Sequence, residues 1–186
     1  MSAPATIVVD DDGLVLELTI TDVTRYHGPH SPGGAAIGFK ALERALPLLS
    51  PAAPAARRAI TVRTAFGGPG ARDAFEALTR AVTDGRYTVD PTLARPERGR
   101  ALARFVFVVG LGDREVTLLL REGFVTDQFV DLAGREDRSD EEERWMTALK
   151  RDLADRVLAH RAEEVFDVEE RQGAWGGSTQ PPVSPL

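Results

Sequence analysis

Cysteine is absent from the 186 residues, histidine occurs three times and lysine twice, at Lys40 and Lys150. The missing thiols exclude disulfides, thiolate nucleophiles, iron–sulfur clusters and Cys-based zinc sites. No uncharged apolar run is long enough to cross a bilayer as a helix. Met1–Asp12 has no basic n-region and only the short apolar run Ile7–Val9. This predicts a cytoplasmic protein with neither secretory leader nor membrane anchor. Aromatic residues are sparse at 6%, so the stacking platform of a single-strand nucleic-acid binder is thin.

What is present suits a compact domain: 42% hydrophobic and 28% charged residues, with a formal net charge of −6. The charge is unevenly spread, with a net of −3 over 1–56, +5 over 57–121 and −9 over 122–170. Arg supplies nearly all the positive charge. The acidic balance argues against nucleic acid as a partner, despite Arg95, Arg98, Arg100 and Arg104 in one stretch. A basic middle segment suits either an anionic ligand or the chain's own acidic residues.

Leu14, Leu16, Leu18 and Ile20 alternate with Val15, Glu17 and Thr19, which predicts a strand. A turn-rich stretch over Tyr26–Gly34 follows, then a helix over Ala35–Leu49 with Pro47 near its end. Ile60–Thr64 predicts a strand, Gly67–Gly70 a turn, and Ala71, Phe75, Leu78 and Val82 one face of a second helix. Tyr87–Val89 predicts a short strand and Asp90–Ala101 an exposed loop. Phe105–Val109 and Val116–Leu120 predict a hairpin, and Phe124–Leu132 a further strand or loop. Ser139 and Glu142 form a capping-box signature for a long helix reaching Val165, and residues 171–186 have the composition of a disordered tail. This order predicts a single α+β domain over 1–168: two helices on a mixed, largely antiparallel sheet, with a long C-terminal helix over 139–165.

Two helix entrances are rich in glycine. The first, Tyr26-His27-Gly28-Pro29-His30-Ser31-Pro32-Gly33-Gly34, holds two of the three histidines; Ser31 suits the N-cap and Pro32 the first turn. The second is Gly67-Gly68-Pro69-Gly70. Glycine lets a ligand approach the backbone closely, and free N–H groups at a helix start attract anions. If both helices pack on one sheet face, the two entrances line a common pocket. Neither segment matches a Walker loop or a dinucleotide fingerprint.

The stretch His27-Gly28-x-His30-Ser31-Pro32-Gly33-Gly34-x-x-x-Gly38-Phe39-Lys40 resembles the opening motif of the FmdE family of formylmethanofuran dehydrogenase components, His-Gly-His-x-Cys-Pro-Gly-x-x-x-Gly-Tyr/Phe/Ile-Arg. Asp73-Ala74-Phe75-Glu76 resembles the family's later Asp-Ala-x-Gln, and Gly85-Arg86 its Gly-Lys; the likeness covers about residues 15–120. The family's Cys positions hold Ser31 or Pro32, and Gly70, and its Gln is Glu76. The motif aligns only with a one-residue insertion, so either His27 or His30 matches the family's His.

The resemblance implies a pocket with His27 and His30 as general base or hard-metal ligands, and Asp73 or Glu76 as the orienting carboxylate. Gly28, Ser31, Gly33, Gly34, Gly68, Gly70, Arg80 and Arg86 are the candidate ligand-binding residues. Without thiolates, any divalent cofactor ion needs a hard donor set. Two functions stand open: a small enzyme or binder of a small, anionic ligand, and a non-catalytic interaction module, acting as a homodimer or complex partner through the C-terminal helix. His160, alone on an acidic helix, reads as a solvated surface residue.

Overall fold

A computed structural model of the chain describes residues 5–169. The expected tail over 171–186 lies outside the described residues. The chain begins with a hairpin of β1 (Thr6–Asp11) and β2 (Leu14–Thr19), closed by Asp12 and Gly13. Both turn residues have positive φ, 55° and 89°, as a two-residue turn that follows the strand twist requires. Ile7 and Val9 are buried on the inner face, so a strand that reads as a mere apolar run in sequence is a core element. A third strand, β3 (Ala55–Ala56), pairs parallel with β1 and completes a three-stranded sheet.

Directly after β2 comes α1 (Ile20–His27), where the sequence reads as the end of a strand and a turn. Asp22 takes the Thr19 N–H at 2.8 Å, which fixes the start of this helix. Gly28 ends it with φ +77°, donating its N–H to the Thr24 carbonyl at 2.8 Å. The next helix, α2 (Pro32–Leu49), begins at Ser31-Pro32, three residues before the expected start at Ala35. Pro47 sits inside its last turn without ending it.

The larger sheet has five strands in the order β5-β4-β6-β7-β8. Strand β4 (Ile60–Thr64) pairs parallel with β5 (Tyr87–Val89) across helix α3 (Pro69–Thr79). The pairs of β4 with β6 (Val106–Leu111), β6 with β7 (Arg114–Leu120) and β7 with β8 (Phe166–Glu169) are antiparallel. Five of the six residues of β6 are buried, as its unbroken apolar run anticipates for a central strand. The expected hairpin is present, turning on Gly112 and Asp113. The fold is α+β, as expected.

Helix α2 is the hub. It packs against α1, α3, β6 and β7, and also against α5 (Asp140–Ala159). Phe39, Leu42 and Ile37 are wholly enclosed, and burying each contributes about 1.5–3 kcal/mol. The close approach to α3 depends on small residues. A Cβ on Gly38 would lie 2.8 Å from the Ala74 Cβ, and one on Gly34 would lie 3.2 Å from the Ala71 nitrogen.

Two further expectations need correction. Phe124–Leu132 contains a helix, α4 (Asp127–Ala133), because the Thr126 hydroxyl accepts the Phe129 N–H at 3.2 Å and caps a turn that alternation alone cannot reveal. The long terminal helix starts at the Ser139–Glu142 capping box as read, but it stops at Ala159. His160 and Arg161 are extended, a short helix α6 (Ala162–Val165) follows, and β8 then turns back alongside β7. Val165 and Phe166 are buried at this turn, so docking them in the core offsets the helix break. Among the described residues no helix is long and apolar enough to cross a membrane.

Candidate functional site

The two Gly-rich entrances meet. A Cβ on Gly70 would stand 2.3 Å from the Ser31 carbonyl oxygen and 2.7 Å from the Ala35 nitrogen, so the first turns of α2 and α3 touch backbone to backbone. Only glycine permits this approach. Next to the junction lies a cavity of about 350 Å³. Ser31, Gly33, Gly34, Gly68 and Gly70 line it, joined by Phe66, Phe105 and Phe129 and by Lys150 from α5. Its volume falls within the ~300–1,000 Å³ of small-molecule sites, and its lining is mostly apolar with few polar groups. Both helices place a proline at their first position and glycine at the next, Gly33 and Gly70. The N–H groups of a first turn have no carbonyl one turn back to receive them.

His27 anchors the junction from behind. Its side chain is 5% exposed, and its Nε2 accepts the Ser31 N–H at 3.0 Å. Nδ1 therefore carries the proton and donates it to Asp73 Oδ2 at 2.8 Å. One ring thus ties the turn after α1, the cap of α2 and the second turn of α3. Asp73 also receives Arg72 at 3.2 Å through Oδ1. The carboxylate-on-imidazole arrangement expected for an oriented histidine is present. The lone pair of a general base or metal ligand is spent on a backbone N–H, so His27 is a positioning residue in this arrangement.

The Tyr87 hydroxyl is enclosed, and its ring lies against Phe75 with centroids 6.0 Å apart. Burial pushes its titration up, with Asp73 adding to the rise and Arg72 opposing it.

The other predicted site residues are elsewhere. The His30 side chain is exposed and stands outside the cavity lining, while its carbonyl faces Lys150 Nζ at 3.4 Å. Glu76 is 3% exposed and turns away from His27. Its Oε2 accepts the Val82 and Thr83 N–H groups at 2.8 and 3.0 Å, its Oε1 accepts the Thr83 hydroxyl at 2.5 Å, and Arg80 stands 3.2 Å away. Burial disfavours its charge, but these donors outweigh burial and hold the carboxyl below its usual range. Arg80, with φ +59°, ends α3. Arg86 straps the turn to the sheet through the Ile60 and Thr79 carbonyls and Asp84. Glu76, Arg80 and Arg86 therefore build the turn after α3, and Gly28 serves its own turn; none of the four lines the cavity.

Among the described residues no three His, Asp or Glu side chains gather as a ligand set for a metal ion. Three of the four arginines in the exposed stretch have internal partners: Arg95 with Glu169, Arg98 with the Leu120 carbonyl and Arg100 with Asp131. His160 is exposed as read, and its ring meets the Phe124 ring edge-on at 5.3 Å.

Sequence reasoning misses Lys150 and the three phenylalanines. Phe66, Phe105 and Phe129 have no shared spacing. Lys150 belongs to a helix far along the chain from both entrances, 120 positions after His30, and only its rarity in an Arg-rich chain marks it. A wider groove of about 710 Å³ lies along the C-terminal half of α2, lined by Leu42, Leu46 and the Ala/Pro segment 50–55, with Glu43 as the one charged lining residue among the described residues. It lacks convergent polar groups.

No protein-family model and no curated protein matches the chain. The likeness to the FmdE family therefore rests on the motif residues themselves.

Proposed function

We propose that the protein binds a small anionic molecule in the cavity where α2 and α3 begin, as a divergent relative of the FmdE family. The observation that carries the reading is the joining of both Gly-rich entrances on one apolar cavity with Lys150 at its edge. Backbone N–H groups and an ammonium offer donors to an anion, and the phenylalanines exclude water and strengthen those contacts. The Ser31 hydroxyl makes no cap bond and is a further donor for the ligand. His27 and Asp73 hold the Ser31 backbone in place. The motif likeness supports the same site, since the matched His, Ser-Pro-Gly and Asp residues flank it. Binding within the cytoplasm fits this reading, as does a role as one component of a larger assembly.

The interaction-module reading has less support. The apolar stripe of α5 is spent on its own domain, with Met146, Leu153, Ala154 and Val157 buried.

Thermal-shift titration with phenylacetate tests the proposal. A ligand at 100 times its Kd adds about 2.7 kcal/mol of stability, a readable rise in Tm. Lys150→Ala should weaken that rise by about fivefold in affinity while its unliganded Tm stays close to wild type, because among the described residues the Lys150 ammonium makes a single long hydrogen bond, 3.4 Å to the His30 carbonyl. No rise with wild type at millimolar ligand would count against the reading.

A further inference from the structure

The cavity does not end at Phe129. A second hollow of about 480 Å³ adjoins it, and the two share Phe66, Gly68, Phe105, Phe129 and Ala133 as walls. Side by side across these shared walls, the two line a cleft from the helix entrances, past α4, to the turn at 100–104 before β6. Its middle is aromatic: Phe66 stacks on Phe105 with centroids 4.3 Å apart and 25° between planes. Gly68 covers the Phe66 ring so closely that a Cβ there would lie 2.3 Å from its Cζ. Phe105 and Gly68 thus hold the Phe66 ring in place, and the ring is half-buried where it lines the cleft.

The two ends carry cations of different standing. Lys150 is at the near end. Arg100 and Arg104 are at the far end. Arg100 is tied to Asp131 of α4. Arg104 is exposed and, among the described residues, its guanidinium forms no ion pair or hydrogen bond, while the guanidinium groups of Arg95, Arg98 and Arg100 nearby in the chain all have partners. An unpaired guanidinium beside an aromatic cleft is a ready partner for a carboxylate or phosphate.

Resting on the proposed anion site, we infer that the cleft takes an elongated dianion: a flat apolar body lying against Phe66 and Phe129, with one anionic group at the α2 and α3 entrances and a second at Arg104. The middle of the cleft offers dispersion and no charged partner, so it selects a body without polar groups. The ends set the spacing of the two charges. Carboxylate and phosphate satisfy the same donors, and both belong in the test.

The test is calorimetric titration of the full chain with phenylacetate, 1,4-phenylenediacetate and inorganic phosphate. The dianion should bind about fivefold tighter than phenylacetate, the gain of one solvent-exposed ion pair. In Arg104→Ala that ratio should fall to about one, whereas Lys150→Ala should weaken both organic ligands and leave the ratio standing. Phosphate alone should bind more weakly than either, because it leaves the aromatic middle empty. Equal affinity for the mono- and dianion, or a ratio that survives Arg104→Ala, would overturn this inference and leave the anion site intact. Absence of binding by all three probes would overturn both.

Discussion

His27 shows how one side chain sets a backbone. Both of its ring nitrogens are used, one on Asp73 and one on the Ser31 N–H, and the ring is shielded from water. Replacing it with alanine deletes a buried charge-assisted bond and leaves the Ser31 N–H unpaired. His27→Ala should cost about 2–3 kcal/mol of unfolding free energy, read by urea denaturation. An unchanged midpoint would contradict the anchoring role. Glu76 gives a pH signature. Its carboxyl titrates lower folded than unfolded, so its stabilisation is full above about pH 4.5, the usual carboxylate range, and is lost as pH falls through the lower folded value. Glu76→Gln should therefore be less stable than wild type at pH 7, and the gap between their Tm values should narrow as pH falls below about 4.5, the usual carboxylate range. At this scale the sequence was partly legible. His27 and Ser31 could be chosen because they belong to a fixed-backbone turn before a helix, Asp73 only through the motif likeness, and the three do converge. Glu76 could not be separated from Asp73, since three positions on a helix share a face and only the following turn shows which carboxylate it captures.

Among the elements, the α2–α3 contact is the one that builds the site. It tolerates no added methyl group at Gly38, where a Cβ would lie 2.8 Å from the Ala74 Cβ and 3.0 Å from the Ala71 carbonyl oxygen. Gly38→Ala should destabilise by about 1–3 kcal/mol despite the better helix propensity of alanine. On the opposite contact, Leu153→Ala in α5 should cost about 2–5 kcal/mol, because the leucine is 2% exposed and packs on Gly33. Circular dichroism melts distinguish these losses from the near-neutral change expected at exposed Trp145. Elements with clear periodicity and length were readable: β4, β6, β7, α3 and the start of α5. Those that were not are short: β1, α1 and α4 have six to eight residues each, and β3, α6 and β8 have two to four. Their starts depend on single contacts, such as Asp22 with the Thr19 N–H or the Phe129 N–H with Thr126, that a pattern count does not weigh.

For the whole molecule, one hydrophobic core runs from Ile7 to Phe166, and the last strand completes the five-stranded sheet. The described residues from 139 to 169 thus contribute to the core and are no appendage. Deleting residues 139–186 should give an unfolded or aggregated product, whereas a folded monomer on gel filtration would revive the interaction-module reading. The architecture class was legible because alternating strand and helix patterns sum over the chain. The break at His160 was not, because it answers to the distant strand β7 against which β8 must pair. The uneven charge finds a partial account in the pairs Arg95–Glu169, Arg121–Asp167 and Arg100–Asp131, which join the basic middle of the chain to its acidic end. Arg104 is left over, facing the cleft. The claim on which the account depends is that this cleft binds anions at the helix entrances. An amide-resolved NMR titration of the full chain with phenylacetate reads it directly. The account predicts saturable shifts centred on the amides of Gly33, Gly34, Gly70 and Ala71, all needing about fivefold more ligand in Lys150→Ala; shifts absent there, or centred instead on the groove beside Leu42 and Leu46, would contradict it.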